Sequence, residues 1–231
     1  MKKFELTTET KVVLGKKVFR IKAMADFGMV KNGELGGFVE KEENLSHEGD
    51  AWVSGDASVS GDARVSGNAR VSGNARVSGN ARVYDNAWVY DNARVFGDAR
   101  VFGDASVSDN AWVFGDAWVF GDASVFGDAS VSDNAWVYDN AWVSGNAWVS
   151  GNAWVSDSKD YATVSGFGSQ NRTTTFFRQK DGSIGVNCGC FYGTIDDFRG
   201  KVRKTHGDTK YAKEYLAIAD LMEMHFNDEV K

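Results

Sequence analysis

The chain has few side chains that could do acid–base or metal chemistry, because it contains only 3 His and 2 Cys. Imidazole titrates near neutral pH, so His47 is the candidate general base. Cys188, Cys190 and His206 are a weak metal signal, since two thiolates one residue apart still need further ligands. A packed or exposed structural role is the alternative for each of these residues.

Basic side chains form two candidate anion sites, because guanidinium groups bind phosphate and carboxylate well. The first is a column of arginines at a constant spacing of 18 residues, namely Arg64, Arg82 and Arg100. The second lies near the end of the chain and comprises Arg199, Arg203 and Lys204. A solvated arginine column and a solvated helix face are the respective alternatives.

A six-residue repeat must position the first of these columns. From Ala51 to Ala153 an alanine returns at every sixth place, eighteen times, and a valine follows each alanine two places later. Residues two apart share one side of a strand, so Ala and Val face inward and their neighbours face outward. The last two places hold Gly, Asp or Asn, except at Ser158, and favour tight turns. Because one side always faces inward, the chain must coil into an all-β solenoid with parallel strands.

The outward places carry the aromatic residues. All eight Trp directly follow an Ala of the repeat and are therefore predicted on the outer surface. If three repeats make one coil, as the resemblance described next implies, every third repeat lies on the same face, and on one face three arginines are followed by three tryptophans. The predicted interface on this face consists of Phe102, Trp118, Phe120, Trp136, Tyr138 and Trp154. Three interpretations stay open: rings that stabilise the sheet, a surface for self-association, and a groove for a separate partner.

The repeat resembles the hexapeptide repeat of left-handed parallel β-helices, in which three repeats form one triangular coil. Residues 36–50 (GGFVEKEENLSHEGD), 187–193 (NCGCFYG) and 205–208 (THGD) resemble parts of phage, prophage and bacterial members labelled as acyltransferases. The resemblance implies a left-handed helix of six to seven triangular coils and assembly as a homotrimer. For enzymatic members it also implies a His base and an acyl-CoA donor.

Three regions are predicted along the chain. Residues 1–44 are expected to form a small N-terminal β cap, and residues 45–172 the β-helix. Within the latter, Leu45 is placed in the Ala slot of a degenerate first repeat, and Ala162 with Val164 in one more irregular coil. Residues 173–231 are expected to form a β-hairpin and a two-helix cap, in which Thr194 begins the first helix.

Composition excludes several classes of protein. No run of 18 apolar residues is present, so no membrane-spanning helix is expected. Met1 and the residues after it do not resemble a signal peptide, and two Cys in such a chain predict reduced thiols. These features favour the cytoplasm of a bacterial host cell. The net charge of −6 disfavours nucleic acid as a partner.

The leading functional hypothesis is a non-catalytic binding or scaffold protein, phage-encoded and homotrimeric, with no cofactor. In one form it sequesters a small phosphorylated host metabolite or immune signal between subunits. The alternative is a hexapeptide-type acyltransferase that uses acyl-CoA, with His47 as its base. Near-identical repeats favour the first hypothesis, because catalysis needs one unique arrangement of side chains.

Overall fold

The computed structural model describes residues 2–227, which form a solenoid with a cap at each end. The N-terminal cap has three strands, β1 Phe4–Val13, β2 Lys16–Ala23 and β3 Leu35–Val39. β2 pairs antiparallel with both β1 and β3. The predicted N-terminal β cap is therefore confirmed.

Eighteen two-residue strands build the coils and sort into three faces of six strands each. Face 1 contains β4 Trp52–Val53, β7 Arg70–Val71, β10 Trp88–Val89, β13 Ser106–Val107, β16 Ser124–Val125 and β19 Trp142–Val143. Face 2 contains β5 Ser58–Val59, β8 Arg76–Val77, β11 Arg94–Val95, β14 Trp112–Val113, β17 Ser130–Val131 and β20 Trp148–Val149. Face 3 contains β6 Arg64–Val65, β9 Arg82–Val83, β12 Arg100–Val101, β15 Trp118–Val119, β18 Trp136–Val137 and β21 Trp154–Val155. Neighbouring strands of a face are parallel and 18 residues apart, so three repeats make one coil.

The interior of the coils consists of the Ala and Val slots, which are at most 1% exposed from Ala51 to Val155. The backbone N–H of Arg64 donates to Ala81 O at 2.9 Å, and that of Ser66 donates to Val83 O at 3.0 Å. A proline at such a place would remove a ladder hydrogen bond, which explains why the coils contain none. The predicted stacked parallel solenoid is confirmed, and its left-handed sense stays a prediction of the resemblance.

The corners have the backbone that their residue types predicted. Five corner aspartates adopt positive φ angles between 52° and 59°: Asp85, Asp91, Asp109, Asp133 and Asp139. The residue after the positive-φ position forms side-chain ladders between coils. In one of them Asn92 Nδ2 donates to Asn110 Oδ1 at 3.3 Å, and Asn110 Nδ2 donates to Asp128 Oδ1 at 3.0 Å. Hydrogen bonds therefore connect successive coils at the corners as well as along the faces.

The first coil differs from the prediction, because Leu45 lies opposite Val65 in a parallel bridge. Leu45 therefore occupies a Val slot, and the predicted Ala slot is wrong. The regular register returns at Trp52, whose N–H donates to Ala69 O at 3.0 Å. Two extra residues, His47 and Glu48, consequently lie between the strand position and the corner.

Trp52 is also an exception among the tryptophans. Its side chain faces away from the coil interior, yet it is only 5% exposed because the N-terminal cap covers it. The ring of Phe27 packs edge-on against it at 5.4 Å. The prediction that all eight Trp lie on the outer surface is therefore wrong at this position.

The chain leaves the coils after β21, through a 3₁₀ turn at Ser158–Asp160. An antiparallel sheet follows, with β22 Tyr161–Phe167, β23 Arg172–Arg178, β24 Ile184–Cys188 and β25 Phe191–Thr194. The predicted irregular coil is wrong, since Ala162 pairs antiparallel with Phe176 in this sheet and Val164 with Thr174. The predicted hairpin between β23 and β24 is confirmed.

Two helices complete the C-terminal tail, α1 Ile195–His206 and α2 Lys210–Phe226. Thr194 caps α1 as predicted, because Asp197 N donates to Thr194 Oγ1 at 3.2 Å. The helices cover one side of the sheet in a separate apolar cluster that includes Tyr215 and Met222. Phe177 points the other way and is fully buried in the core of the coils, where it closes their C-terminal end.

Candidate functional site

Face 3 shows the column of outward side chains that the repeat predicted. Arg64 lies opposite Arg82, Arg82 opposite Arg100, and Arg100 opposite Trp118. Trp118, Trp136 and Trp154 continue the same column toward the C-terminal end. A second column on this face reads Ser66, Tyr84, Phe102, Phe120, Tyr138 and Ser156. These two columns are called the first and second column of face 3 below.

Rings within each column stack on one another at the spacing of the coils. Phe102 and Phe120 have ring centroids 4.9 Å apart and planes 1° from parallel, and Trp118 and Trp136 are 5.0 Å and 5° apart. Between the columns the contacts are edge-on, as for Phe120 and Trp136 at 5.7 Å. Each such pair adds about 0.5–1.5 kcal/mol beyond area burial. The rings are half-buried by these contacts, so they stabilise the sheet and still present a continuous outer surface.

The arginine end of the first column is partly open to solvent. The guanidinium of Arg100 lies 4.7 Å from the Trp118 ring centre and joins the aromatic stack. Arg64 and Arg82 are exposed, and among residues 2–227 neither side chain forms an ion pair. These two predicted anion ligands are therefore available to an external partner.

A cleft of about 570 Å³ brings the candidate base and the first arginine together. Its walls include Glu42, Glu43, His47 and Arg64. His47 Nδ1 accepts a hydrogen bond from the backbone N–H of Lys3 at 3.2 Å, and Nε2 lies 2.7 Å from Glu42 Oε1. The imidazole also stacks on the Phe4 ring at 4.4 Å. Both ring nitrogens are engaged, so the imidazole has no free lone pair for a substrate proton in this arrangement.

The contact with the imidazole changes the pKa of the neighbouring carboxylate, Glu42. The hydrogen bond from His47 lowers the pKa of Glu42, and the Lys2 ammonium at 3.2 Å lowers it further. Glu42 is therefore held in its ionised form, which fixes the imidazole in place. This cleft thus has a fixed carboxylate–imidazole pair whose contacts link the N-terminal cap to the first coil.

The most exposed tryptophans lie outside the predicted interface. On face 1, Trp88 and Trp142 are 52% and 59% exposed, while Trp112 and Trp148 on face 2 are 40% and 43% exposed. Their neighbours in the column are Arg or Ser, so no second indole stacks on them. The sequence already shows this difference between the faces. When residues 18 apart are grouped together, only face 3 has tryptophans in consecutive coils.

One residue of the second candidate anion site, Arg199, is paired with carboxylates within the tail. Arg199 Nη2 pairs with Asp220 at 2.8 Å and Glu223 at 2.6 Å, and Nη1 pairs with Asp196 at 3.3 Å. These carboxylates raise the pKa of Arg199 above its usual range and neutralise its charge within the tail. Its candidacy as an anion ligand loses support. Arg203 and Lys204 are exposed in the last turn of α1, where the helix dipole favours positive charge.

The predicted weak metal set lines a second cleft, of about 220 Å³. Cys188, Cys190 and His206 all contribute to its walls, together with Arg172 and Tyr215. Across residues 2–227, no three His, Cys, Asp or Glu side chains are grouped closely enough to hold a metal ion. Burial raises the pKa of Tyr215 to about 12. The walls of the cleft therefore combine thiols, a cation and a neutral phenol.

Comparison with known protein families supports the solenoid. A family model described as the YdcK beta solenoid repeat matches residues 63–78, 75–91, 87–103 and 93–109. The central coils therefore resemble a β-solenoid repeat family. A search of curated proteins gives no match to the chain. Among the described residues, no helix has the length and apolar character needed to cross a membrane.

Proposed function

We propose that this chain is a non-catalytic binding or scaffold protein whose copies assemble through the outer faces of the coils. The observation that supports this most is the uninterrupted pair of columns on face 3, where arginines lead into stacked aromatic rings. Tyr, Trp, Phe and Arg are the residues enriched in protein interfaces. Stacking already orders these rings, so little side-chain entropy is lost when a partner covers them.

A pair of ring deletions tests whether assembly depends on face 3. Trp136→Ser removes a half-buried ring from face 3, and Trp88→Ser removes a more exposed ring from face 1. Both put Ser in a slot that holds Ser elsewhere in the repeat. Light scattering should show weaker association for Trp136→Ser and unchanged association for Trp88→Ser. Equal effects, or a larger effect of Trp88→Ser, would mean that association is nonspecific hydrophobic contact and would contradict the proposal.

In its narrower form, the proposal has a small phosphorylated metabolite held between subunits. The exposed Arg64 and Arg82 support it, since neighbouring guanidinium groups can share a phosphate. Pyrophosphate titrated into the wild type should release heat that is lost in Arg64→Gln/Arg82→Gln. Heat of the same size in both proteins would remove this ligand from the proposal. Phage origin and the homotrimer are supported by the resemblance alone, and a bacterial cytoplasmic setting is supported by the resemblance together with the two Cys, which are expected to be reduced.

A second candidate function is acyl transfer from acyl-CoA, which the cleft at His47 favours by its size and by the Glu42 contact. It requires the bond from Lys3 N to break, so that Nδ1 can accept a proton. Acetyl-CoA and a panel of amine and hydroxyl acceptors should give no turnover with the wild type. Turnover that disappears in His47→Ala would replace the binding proposal with this one.

A further inference from the structure

The two columns of face 3 have a symmetry of their own. From the first coil to the sixth, the first column reads Arg, Arg, Arg, Trp, Trp, Trp. The second column reads Ser, Tyr, Phe, Phe, Tyr, Ser in the same direction. Turning the solenoid end over end exchanges every arginine with a tryptophan in the first column. The second column is unchanged, because it reads the same both ways.

We propose that face 3 binds face 3 of a second copy of this chain in the antiparallel sense. The two-fold axis runs along the strands, between the coils of Arg100 and Trp118. Arg64 then lies opposite the partner's Trp154, and Arg82 opposite the partner's Trp136. This deepens the proposed self-assembly, on which it rests, and it replaces the homotrimer with a two-fold dimer. A two-fold interface must be self-complementary, as this face is.

Charge decides between this arrangement and a parallel one. A two-fold axis along the solenoid would instead place the first column opposite the partner's second column and gather Arg64 and Arg82 of both copies at the same end of the interface. Four like charges would then lie near one another, and neither column has a carboxylate between Arg64 and Trp154 to offset them. In the antiparallel arrangement the two arginine clusters lie at opposite ends, and each guanidinium meets an indole, a favourable pairing. The antiparallel sense is therefore selected by the chain's own charges.

The two ends of face 3 add a second, independent match. At the C-terminal end Lys180 projects from the tail hairpin, with Nζ 5.3 Å from the centre of the Trp154 ring. At the N-terminal end the cleft beside Arg64 has Glu42 and Glu43 in its wall. The antiparallel rotation brings the partner's Lys180 to the level of these carboxylates. An ammonium and an acidic cleft thus face each other twice, once at each end of the dimer.

A charge exchange tests the geometry. Arg82→Glu removes a cation opposite the partner's Trp136, and Trp136→Lys places a cation opposite the partner's Arg82. Each single variant should raise the dimer dissociation constant at least about tenfold. The double variant Arg82→Glu/Trp136→Lys should return to within about threefold of wild type, because a new ion pair forms across the antiparallel interface. Arg76→Glu, in the equivalent slot of face 2, is the matched control and should change nothing.

Sedimentation equilibrium gives the constants, and circular dichroism checks that each variant is folded. A double variant weaker than either single variant would overturn the antiparallel geometry, while persistent association would leave the proposed self-assembly standing. A wild type that is monomeric at about 100 μM would remove both. If Trp136→Lys alone fails to fold, Arg82→Trp, which places two indoles opposite each other, should still give a stable dimer without the Lys.

Discussion

The corners of successive coils lie directly above one another, so we expect a side chain added at a corner glycine to crowd the backbone of the next coil. Gly121 has a φ of +71°, and a Cβ added there would lie 2.9 Å from the backbone N of Asp139 in the next coil. Gly145 has a similar φ of +65°, but it lies in the last coil and a Cβ there would meet no atom within 4 Å. Gly121→Ala and Gly145→Ala therefore share the same backbone strain and differ in the contact between coils.

The size of each effect follows from these two contributions. Placing a Cβ in the left-handed region costs about 1–2 kcal/mol, and this applies to both variants. Crowding against the next coil adds about 1–3 kcal/mol, the cost of overpacking, and applies only to Gly121. We expect Gly145→Ala to lower the free energy of unfolding by about 1–2 kcal/mol and Gly121→Ala by about 2–5 kcal/mol.

Guanidinium unfolding followed by far-UV circular dichroism measures both free energies. The wild type provides the reference, and the slope of the transition should be the same for all three proteins. Equal destabilisation by the two substitutions would refute the argument, since it would mean that Gly121 has no corner above it. A larger effect at Gly145 would contradict the order of the coils at the C-terminal end.

Three further predictions concern the two ends. Phe177→Ala should destabilise the chain by about 3–5 kcal/mol, because the ring closes the coils, whereas Phe167→Ala at an exposed ring should change the thermal midpoint little. Asn44→Ala leaves the part-buried Gly61 and buried Ala63 carbonyls without their amide donor and should lower the free energy of unfolding by about 1–3 kcal/mol; the exposed Asn68→Ala is the control. Burial lowers the pKa of Lys3 from 10.5 to about 8. Between these values the unfolded state binds more protons, so stability rises with pH; unfolding measured across this range should lose that rise in Lys3→Met.

The coils and face 3 were predictable because a single period decides both. Once Ala and Val face inward, the only further information needed is the number of repeats per coil, which the resemblance supplied, and an 18-residue step then places Arg100 under Trp118. The turn chemistry was equally local, since Asp and Gly at the corners need no distant partner to adopt positive φ. Strict repetition therefore converts sequence spacing into three-dimensional position.

The errors arose where the period ends. Leu45 suits an Ala or a Val slot by polarity alone, and only its bridge to Val65 decides between them. Ala162 and Val164 keep the two-residue spacing, but strand β23 arrives from the tail and pairs with them in the antiparallel sense. Trp52 follows the repeat, yet its burial depends on Phe27 in a segment that has no periodicity.

Arg199 shows the same limit for a candidate site. Its side chain lies in a local cluster of basic residues, for which an anion site and a solvated helix face were the two alternatives. Two of the three carboxylates that neutralise it, Asp220 and Glu223, belong to the next helix, more than 20 residues away. Helix-to-helix packing, which has no short-range signature in the sequence, therefore removes the charge from the surface.

The mass of the wild-type protein under native conditions tests the central claim most directly. Native mass spectrometry and sedimentation over a range of concentrations report the assembly through the coil faces without any substitution. The two-fold arrangement predicts a reversible species of twice the 25.2 kDa chain mass. A strictly monomeric protein would contradict self-assembly, and a trimer would contradict the antiparallel pairing of face 3.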